Sequence, residues 1–562
     1  MGWRFPLLLL LLVACCYLPG LEALPAHDDQ LLTREVLGPP TPGALLGRFL
    51  DPVRPHGLGI PLPNYAYRPL TEASFSLNLA GGFLSLRVLN LLLHWGACLA
   101  VLWVAAQLFP AERHLGRWAA LCFAVHPLAV SAVTYVYQRA ASLEALLAFL
   151  SLGLYWSARV RMWGGRYLGA LGCGLMAVMA KETGATLPLM LAAVEWILRD
   201  PAEPLRAVWK RWLPFLLLPA VVLLQALRAA SLASAAGGPR ESLFRPGAGG
   251  PTPLGYLLGE LPVLVHYLRL SSLPFPRHFL YDHEGMGFLP WPVAGGLVAV
   301  LVAWVLWGPE AWRLPRLGLA LFLAPLALES SVFPIRDIAF DHRCYPGLLG
   351  VALLFGGAVL SLGRLPGPWR LLPGAALLCL AALTLVANRD WTDTRRLLGS
   401  DVRGASRNPE AWSGYAAWRL ASGHPEAALP LYRRARSLPW QDVGVCVGQA
   451  RALEALGRRP QAREILDEAM VHLPRDPGLL WEAVEEARRA GDEGRQEVLA
   501  DRGEGLEELR IEMVIWLARR RVAQGRLPEA RALLVRQADH FPQNAVLREH
   551  LDWVLRAEKA SP

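Results

Sequence analysis

Two adjacent carboxylates, Asp28 and Asp29, follow the first hydrophobic segment, where a membrane helix would release the chain into water. A carboxylate held beside a membrane can act as the general base for an acceptor hydroxyl. Further polar and ionisable side chains stand at the ends of later apolar runs, namely Gln138-Arg139, Lys181-Glu182, Asp282-His283, Arg336-Asp337 and Asp341-His342-Arg343. Cations such as Arg139, Lys181 or Arg343 suit a phosphate leaving group, because they bind it and stabilise its charge. Together these residue types favour sugar transfer from a lipid phosphate, and direct displacement with a single base inverts the anomeric carbon.

Each of these residues also has an ordinary structural explanation. Charges in a loop between helices are usually solvated, and Lys181-Glu182 could form a salt bridge that holds a tight turn. His126 precedes Pro127 inside an apolar run, where a hydrogen-bonded interior histidine is the commoner outcome. The joint pattern is more informative, because polar groups clustered on one side of a membrane bundle indicate a functional site.

The elements that would position these side chains are membrane helices. The chain has 562 residues, of which 54% are hydrophobic, and its mean hydropathy is +0.31. These values exclude an ordinary soluble enzyme, and several apolar runs reach the roughly 17–25 residues that cross a bilayer. We predict about eleven spans, the first within residues 5–18 and the others near 88–109, 118–136, 140–158, 167–180, 183–198, 212–227, 290–307, 317–332, 345–362 and 371–387.

Arginines in the short loops set the predicted topology. With the N-terminus in the cytoplasm, every short inner loop is basic, as the positive-inside rule requires. Residues 254–273 carry Glu260, His266 and Arg269, so we predict a helix at the interface or packed inside the bundle instead of a span. The first outer loop, residues 20–87, and the C-terminal region then lie on the non-cytoplasmic side. The net charge of +9 does not indicate a nucleic-acid partner, because the arginines are spread over inter-helix loops.

The C-terminal region, residues 388–562, is predicted to be a repeat array that follows a membrane domain over residues 1–387. Gly423, Gly457, Gly491 and Gly525 recur at a spacing of 34 residues, and a small residue follows three of them by five positions. This is the tetratricopeptide period, which predicts an α-solenoid of stacked helix pairs. Such an array offers a concave surface for a polypeptide partner.

The N-terminus permits two interpretations. The first apolar segment could be a signal peptide, and Leu12-Val13-Ala14-Cys15 is similar to a lipoprotein cleavage box. We favour an uncleaved first helix with Arg4 on the cytoplasmic side. The eight cysteines have no metal-ligand spacing. A divalent metal stays open, because Asp and His are available but no spacing fixes a site.

Taken in order, these motifs resemble those of the membrane O-mannosyltransferases that carry C-terminal tetratricopeptide repeats, and of their bacterial relatives. The matching pieces are Asp28-Asp29, Tyr67-Arg68-Pro69-Leu70-Thr71, His126-Pro127, Gln138-Arg139-Ala140, Ala180-Lys181-Glu182, Leu280-Tyr281-Asp282-His283, the run from Ser331 to Asp337, Asp341-His342-Arg343 and Asn388-Arg389-Asp390-Trp391. The similarity covers almost the whole chain, and the combination is far more specific than any single piece.

The resemblance implies an all-α protein, in which a polytopic helix bundle of the C-type glycosyltransferase fold (GT-C) precedes the repeats. It implies a polyprenyl- or dolichyl-phosphate sugar donor, typically of mannose, and Ser/Thr hydroxyls of exported proteins as acceptors. An aspartate of the first outer loop acts as base in that fold, which is Asp28 or Asp29 here. The residues assigned to substrate binding are Arg68, His126, Gln138, Arg139, Lys181, Glu182, Asp282, His283, His342 and Arg343.

Two departures leave the sugar and the acceptor open. Leu128–Ser131 stands where the relatives usually carry a further His or Glu, and the match at Asp282-His283 is loose. The arginine-rich, lysine-poor composition favours a bacterial protein, so we expect a multi-pass protein of the inner (plasma) membrane with its repeats outside the cytoplasm. The alternatives are a non-catalytic membrane scaffold whose repeats recruit partners, and an O-antigen ligase or polymerase.

Overall fold

A computed structural model describes residues 3–23, 25, 28–29, 32, 40–50, 68–159, 164–235, 252–282, 289–331, 335, 337–363, 367–438, 443–474, 476–504, 509–540 and 545–560. Within these residues every regular element is a helix. The chain divides into two compact units, and the main boundary falls between Ser400 and Asp401. The boundary predicted at residue 387 lies instead inside the last apolar helix, Leu372–Asp390.

The first unit is built mainly from apolar helices joined by short 3-10 turns. Its α-helices are Arg4–Tyr17, Pro42–Leu50, Pro69–Asn78, Gly82–Leu108, Leu115–Ala124, Val130–Val133, Arg139–Ala158, Gly165–Ala180, Leu187–Leu198, Leu205–Trp212, Leu217–Ala235, Pro253–Ser272, Trp291–Trp307, Arg313–Leu326, Leu348–Leu362, Leu372–Asp390 and Thr394–Gly404, the last of which crosses the boundary. Buried aromatic rings fill its centre, where Phe123 packs edge-on against Phe149 and Tyr345 at 5.8 and 5.3 Å.

Five helical stretches of the described chain are long and apolar enough to cross a membrane, or seven if each of two bent helix pairs counts as one span. The five are Arg4–Glu22, Pro69–Leu108, Val136–Ala158, Leu205–Arg228 and Gly367–Asp390. Other predicted spans coincide with shorter apolar helices, such as Gly165–Ala180 and Leu348–Leu362. The described residues therefore form a helical protein with several helices that are long and apolar enough to cross a membrane, and the count of eleven stays a prediction.

The stretch predicted as an outer loop up to Arg87 is partly helical. Pro69 occupies the first turn of the helix Pro69–Asn78, where proline is favoured because its missing N–H has no partner to lose. A short turn at Leu79–Gly81 leads into Gly82–Leu108. The helix predicted to begin at residue 88 thus begins six positions earlier, because the polar residues of its first turns contact other parts of the unit.

The span predicted over residues 118–136 is not one continuous helix, because the helix is broken at His126-Pro127, and whether the bent pair forms a single span stays a prediction. Leu115–Ala124 and Pro127–Val133 meet at a bend of 53°. Proline cannot donate the backbone hydrogen bond that a continuous helix needs. The carbonyls near the break accept from side chains of other segments: Ala124 O from His94 Nε2 (3.3 Å), Val125 O from Thr384 Oγ1 (2.7 Å) and Pro127 O from Arg277 Nη1 (2.5 Å).

The second unit consists of consecutive helix pairs. Its helices are Pro409–Ala421, Pro425–Arg436, Val443–Ala455, Arg459–His472, Pro477–Ala490, Glu493–Glu504, Ile511–Ala523, Leu527–His540 and Ala545–Ala560. The four glycines spaced by 34 residues all have positive φ, between 70° and 79°, and each lies in the turn inside a helix pair. Ala428, Ala462 and Ala530 are fully buried where the helices pack. This arrangement is a helical repeat.

Candidate functional site

The two aspartates after the first helix are both held by the segment Tyr135–Tyr137, but in different ways. The Tyr135 hydroxyl donates to Asp28 Oδ2 at 3.0 Å and accepts from the Asp28 N–H at 3.1 Å. The Tyr137 N–H donates to Asp29 Oδ1 at 2.8 Å. The Asp28 residue is exposed, whereas Asp29 is 1% exposed. The pair is therefore divided into an accessible carboxylate and a buried carboxylate that anchors the loop.

Tyr137 is near both the acidic pair and two further charged residues, Arg68 and Glu182. Its hydroxyl is close enough to interact electrostatically with Asp28, Arg68 and Glu182. Tyr135 has extended backbone and a short 3-10 turn, Val136–Gln138, follows it, so that this segment faces the loop of Asp28. The adjacent Gln138 is buried, and its Oε1 has no hydrogen-bond partner among the described residues.

Arg68 and Glu182 form a bidentate ion pair. The Arg68 Nε and Nη2 donate to the two carboxylate oxygens of Glu182 at 2.9 and 2.6 Å. Partial burial alone would raise the pKa of the Glu182 carboxyl, but the charge and hydrogen bonds of Arg68 outweigh it and lower that pKa to about 2. The paired groups fix the start of the helix Pro69–Asn78 against the turn that follows Ala180.

Lys181 points away from its neighbour Glu182 and pairs elsewhere. Its backbone is extended, with φ −154° and ψ 142°, so successive side chains face opposite directions. The Lys181 ammonium donates to Glu329 Oε1 at 2.9 Å, and Arg343 Nε lies 3.9 Å from Glu329 Oε2. One buried glutamate is therefore shared by two buried cations.

The 3-10 turn Asp341–Cys344 carries His342 and Arg343 into the same region. The Arg343 guanidinium donates to the carbonyls of Ile338 and Asp337 at 3.0 and 2.7 Å. The His342 ring stacks on Phe340 at 5.0 Å, and its Nδ1 has no hydrogen-bond partner among the residues that the structure describes. Burial, with the positive charges of Lys181 and Arg343 beside it, holds the pKa of His342 well below its ordinary value.

A continuous series of aromatic contacts links the two ends of this site. Tyr135 stacks on Trp391 at 5.5 Å and meets Phe279 edge-on at 5.4 Å. Phe279 then contacts Phe340 at 5.6 Å, and Phe340 stacks on His342. The ring that holds Asp28 is thus joined through rigid apolar side chains to the histidine beside the cations.

Arg139 occupies a different environment from the one its predicted role requires. It is fully buried, and its guanidinium lies 4.4 Å from the centre of the Phe75 ring. Its donors contact four acceptors: Asn90 Oδ1 (2.7 Å), Ser74 Oγ (3.2 Å), Asn78 Oδ1 (3.1 Å) and Leu86 O (2.9 Å). These contacts join three helices, and a phosphate could reach this guanidinium only by replacing them.

The remaining predicted residues are placed as follows. His126 accepts from the Leu128 N–H at 3.3 Å and its Nε2 lies 3.1 Å from Ser271 O, which is the contact pattern of a turn-capping interior histidine. Asp282 is half-buried next to Tyr281. His283 lies outside the described residues. The structure thus brings together Asp28, Asp29, Arg68, Gln138, Lys181, Glu182, His342 and Arg343, with Arg139 and His126 packed nearby in supporting roles.

Sequence reasoning missed several residues that complete this region. Glu329 lies near the end of the span predicted over residues 317–332, and Glu144 lies within the span predicted over residues 140–158. An ionisable residue inside an apolar run is the available signal for both, since such residues are rare and functional in membrane helices. Tyr135 and Tyr137 carry no comparable signal, because tyrosines near a helix end are common at membrane interfaces.

The described residues contain no group of three or more His, Cys, Asp or Glu side chains that could hold a metal ion. The carboxylates of the site contact cations or tyrosine hydroxyls instead. These residues do not fit a protein-bound divalent cation, and no step below is assigned to one.

No known protein-family model matches the sequence, and no curated protein sequence is significantly similar to it.

Proposed function

We propose that the chain is an inverting glycosyltransferase that moves a sugar, typically mannose, from a polyprenyl-phosphate donor to Ser or Thr hydroxyls of exported proteins. The observation that carries this proposal is that Asp28 and the Arg68–Glu182 pair both interact electrostatically with Tyr137, in the segment whose Tyr135 donates to Asp28. An accessible carboxylate and a set of buried cations thereby share one region of the first unit. Such a pairing suits a base and a phosphate-binding group acting on the same sugar.

Asp28 is the base in this proposal, and Asp29 positions it. Asp28 is exposed, so an acceptor hydroxyl can approach its free carboxylate oxygen, whereas the Asp29 carboxylate is buried on the Tyr137 N–H. Asp28 takes the proton of the Ser or Thr hydroxyl as the hydroxyl oxygen attacks the anomeric carbon. The bond from that carbon to the phosphate oxygen breaks, and the electron pair leaves with the polyprenyl phosphate.

Lys181, Arg343 and Arg68 stabilise the departing phosphate. Each of them is paired with a carboxylate of the protein, Glu329 or Glu182. A phosphate oxygen that enters between Lys181 and Arg343 gains two cationic donors in a region with little water, where charge-assisted hydrogen bonds are strong. The rigid partners of these cations keep them in place, so little reorganisation accompanies the reaction.

The finer architecture belongs to the same proposal. We infer an eleven-span bundle of the GT-C type and a tetratricopeptide-repeat solenoid, in a bacterial inner membrane, with the repeats outside the cytoplasm and no nucleic-acid partner. The positive φ of the four equally spaced glycines supports the repeat assignment. The repeats would bind the acceptor polypeptide, and the membrane lipid would present the donor.

A scaffold without catalytic activity gains nothing from a buried charged cluster whose polar atoms are left unpaired, as Glu329 Oε2 is among the described residues. Lys181, Glu329 and Arg343 are each less than 9% exposed, and burying charge is costly unless it serves structure or a ligand. An O-antigen ligase or polymerase uses a lipid-diphosphate donor, and the pair of aspartates after the first helix favours the monophosphate enzyme.

The test is transfer of labelled mannose from a polyprenyl monophosphate to a Ser/Thr-rich peptide by the purified full chain. Mass spectrometry of envelope proteins should also reveal hexose on Ser or Thr that disappears with the Asp28→Asn variant. Unchanged glycosylation in cells whose only copy is Asp28→Asn, at equal protein level, would exclude the proposed catalytic role.

A further inference from the structure

Four buried polar atoms lie around Lys181 and Arg343 without a hydrogen-bond partner in the part of the chain that the structure describes. They are Glu144 Oε2, Glu260 Oε1, Glu329 Oε2 and His342 Nδ1, on side chains of residues that are 2%, 0%, 8% and 5% exposed. Buried polar groups are almost always hydrogen-bonded in native proteins, and each exception needs an explanation. Four exceptions in one region indicate that something else supplies the partners.

Their mutual proximity follows from their electrostatic contacts. Glu144 interacts with Lys181 and Glu329. Glu260 interacts with Arg343 and Glu329. Glu329 lies against both cations, and Glu144, Glu260 and His342 each interact with at least one of them, although the four side chains come from four separate segments of the chain.

Two hydroxyl groups of the described residues beside Glu260 already have acceptors. Ser330 Oγ donates to the other oxygen of Glu260 at 2.9 Å. The Tyr256 hydroxyl has one hydrogen and donates it to the Glu329 carbonyl at 3.0 Å. The Tyr256 hydroxyl also lies close enough to interact with the Glu260 carboxyl, but its one hydrogen cannot serve both acceptors, so this pair of acceptors has one donor too few.

The unpaired atoms define the ligand by chemistry. Three carboxyl oxygens lack hydrogen-bond donors among the described residues. Lys181 and Arg343, two positive charges, share the single carboxylate of Glu329. A sugar attached to phosphate brings both, since its hydroxyls donate to carboxylates while the phosphate accepts from the cations. A bare phosphate brings acceptors only. A metal ion is disfavoured, because the described carboxylates and histidines form no group that could hold one.

We propose that Glu144, Glu260, Glu329 and His342 form the subsite that binds the sugar hydroxyls of the donor, directly beside the phosphate-binding cations. This inference rests on the proposed function and adds the residues that distinguish a glycosylated lipid phosphate from the bare lipid phosphate. Glu144 and Glu260 have no paired cation at hydrogen-bond distance among the described residues, so they contribute discrimination and not phosphate affinity.

The experiment compares two probes on the purified full chain in detergent: a short-chain prenyl phosphate and the same lipid carrying mannose. The wild-type chain should bind the mannosylated probe at least about tenfold more tightly, because a single additional hydrogen bond to a charged group is enough for that ratio. Glu260→Gln and Glu144→Gln should each remove most of this preference and leave the bare probe bound as well as before, because neither side chain has a cation at hydrogen-bond distance among the described residues.

Glu195→Gln is the matched control, because Glu195 is equally buried but saturated by Arg211 and Tyr155. It should lower thermal stability and leave the preference between the probes unchanged. Glu260→Gln should lower thermal stability less than Glu195→Gln does, because Glu260 Oε1 has no hydrogen-bond partner among the described residues.

Equal affinity of the wild-type chain for both probes, with sugar transfer intact, would overturn the subsite and leave the proposed function standing. Failure to bind either probe, together with no transfer, would overturn both. Retention of the preference in Glu260→Gln and in Glu144→Gln would also overturn the subsite.

Discussion

Two buried clusters in the first unit combine arginine or lysine with glutamates, and they differ in how completely their atoms are paired. In one cluster, Arg211 Nε and Nη2 donate to both oxygens of Glu195 at 2.6 Å, and Nη1 and Nη2 donate to Glu203. The Tyr155 hydroxyl completes Glu195 at 2.7 Å. Each of the three nitrogens of this guanidinium donates a hydrogen bond to a carboxylate oxygen.

The other cluster, around Lys181, Glu329 and Arg343, leaves polar atoms unpaired at Glu144, Glu329 and elsewhere. A cluster that is complete in the absence of ligand stabilises the fold, because its buried charges are already compensated. A cluster that is incomplete gains its last partners from a ligand. Under the proposed function, the Arg211 cluster serves the architecture and the Lys181 cluster serves binding, which predicts opposite outcomes for matched substitutions.

The largest expected effect distinguishes the adjacent residues Asp28 and Asp29, of which one should affect activity and the other stability. Asp28→Asn should reduce transfer by about 10²–10⁴-fold, the usual contribution of a general base, with unchanged thermal stability. Asp29→Asn should instead lower thermal stability and retain more activity per folded molecule, because the buried Asp29 holds the loop on the Tyr137 N–H. The measurements are initial transfer rates and melting temperatures in detergent, and the reverse outcome would make Asp29 the base.

The second prediction exchanges a cation in each cluster. Lys181→Met should reduce transfer by about 10²-fold, because a donor to the phosphate is lost, and should destabilise the fold less than Arg211→Met, because Glu329 still has Arg343 beside it. Arg211→Met leaves Glu195 and Glu203 uncompensated and should cost about 3–5 kcal/mol of stability, with near-normal transfer by the fraction that remains folded. Similar losses of stability in both variants would remove the distinction between the clusters.

The third prediction uses the tyrosines that donate to each set of carboxylates. Tyr135→Phe should lower kcat about tenfold without raising KM, because Asp28 loses the hydroxyl that orients it. Tyr155→Phe removes a hydrogen bond to Glu195 and should cost about 1 kcal/mol of stability, with kcat unchanged. Steady-state kinetics and thermal unfolding separate the two effects, and an unchanged kcat for Tyr135→Phe would show that Asp28 needs no such orientation.

The smallest expected effect is a pH dependence of stability from Glu182. Its folded pKa of about 2 lies below the value of about 4.3 expected for an unfolded glutamate. A depressed pKa contributes stability that is present above the unfolded value and is lost as the pH falls through the folded value. Between about pH 4 and pH 2, the wild-type melting temperature should therefore fall more steeply than that of Glu182→Gln. Glu426→Gln, at an exposed position, is the control and should leave the slope unchanged.

The sequence was a good guide to the positions of the polar turns but a poor one to their pairing. Lys181 and Glu182 are neighbours that could pair, yet extended backbone sends them to Glu329 and to Arg68. Asp28 and Asp29 look equivalent, and only the two different groups of the segment 135–137 separate them. Pairing across more than a hundred residues depends on helix packing, which local patterns do not encode.

Simple rules predicted some other features correctly, and the features that they missed have an identifiable physical reason. The equal spacing of Gly423, Gly457, Gly491 and Gly525 predicted turns, and all four have the positive φ that glycine adopts easily. Arg139 was expected at the site because of its place at a helix end, but its contacts with Asn90, Ser74 and Asn78 lie on helices whose packing the sequence left open. The start of the helix at Gly82 was missed because its first turns contain polar residues.

The break at His126-Pro127 has a mechanical consequence. Three carbonyls near the bend, those of Ala124, Val125 and Pro127, accept hydrogen bonds from the distant side chains of His94, Thr384 and Arg277. Straightening or flexing the bend would leave these carbonyls without hydrogen-bond partners in apolar surroundings. We therefore expect the bend to be rigid and not to act as a hinge. The segment that carries Tyr135 and Tyr137 is consequently a fixed reference, and any movement that admits a substrate must take place in the elements that face it.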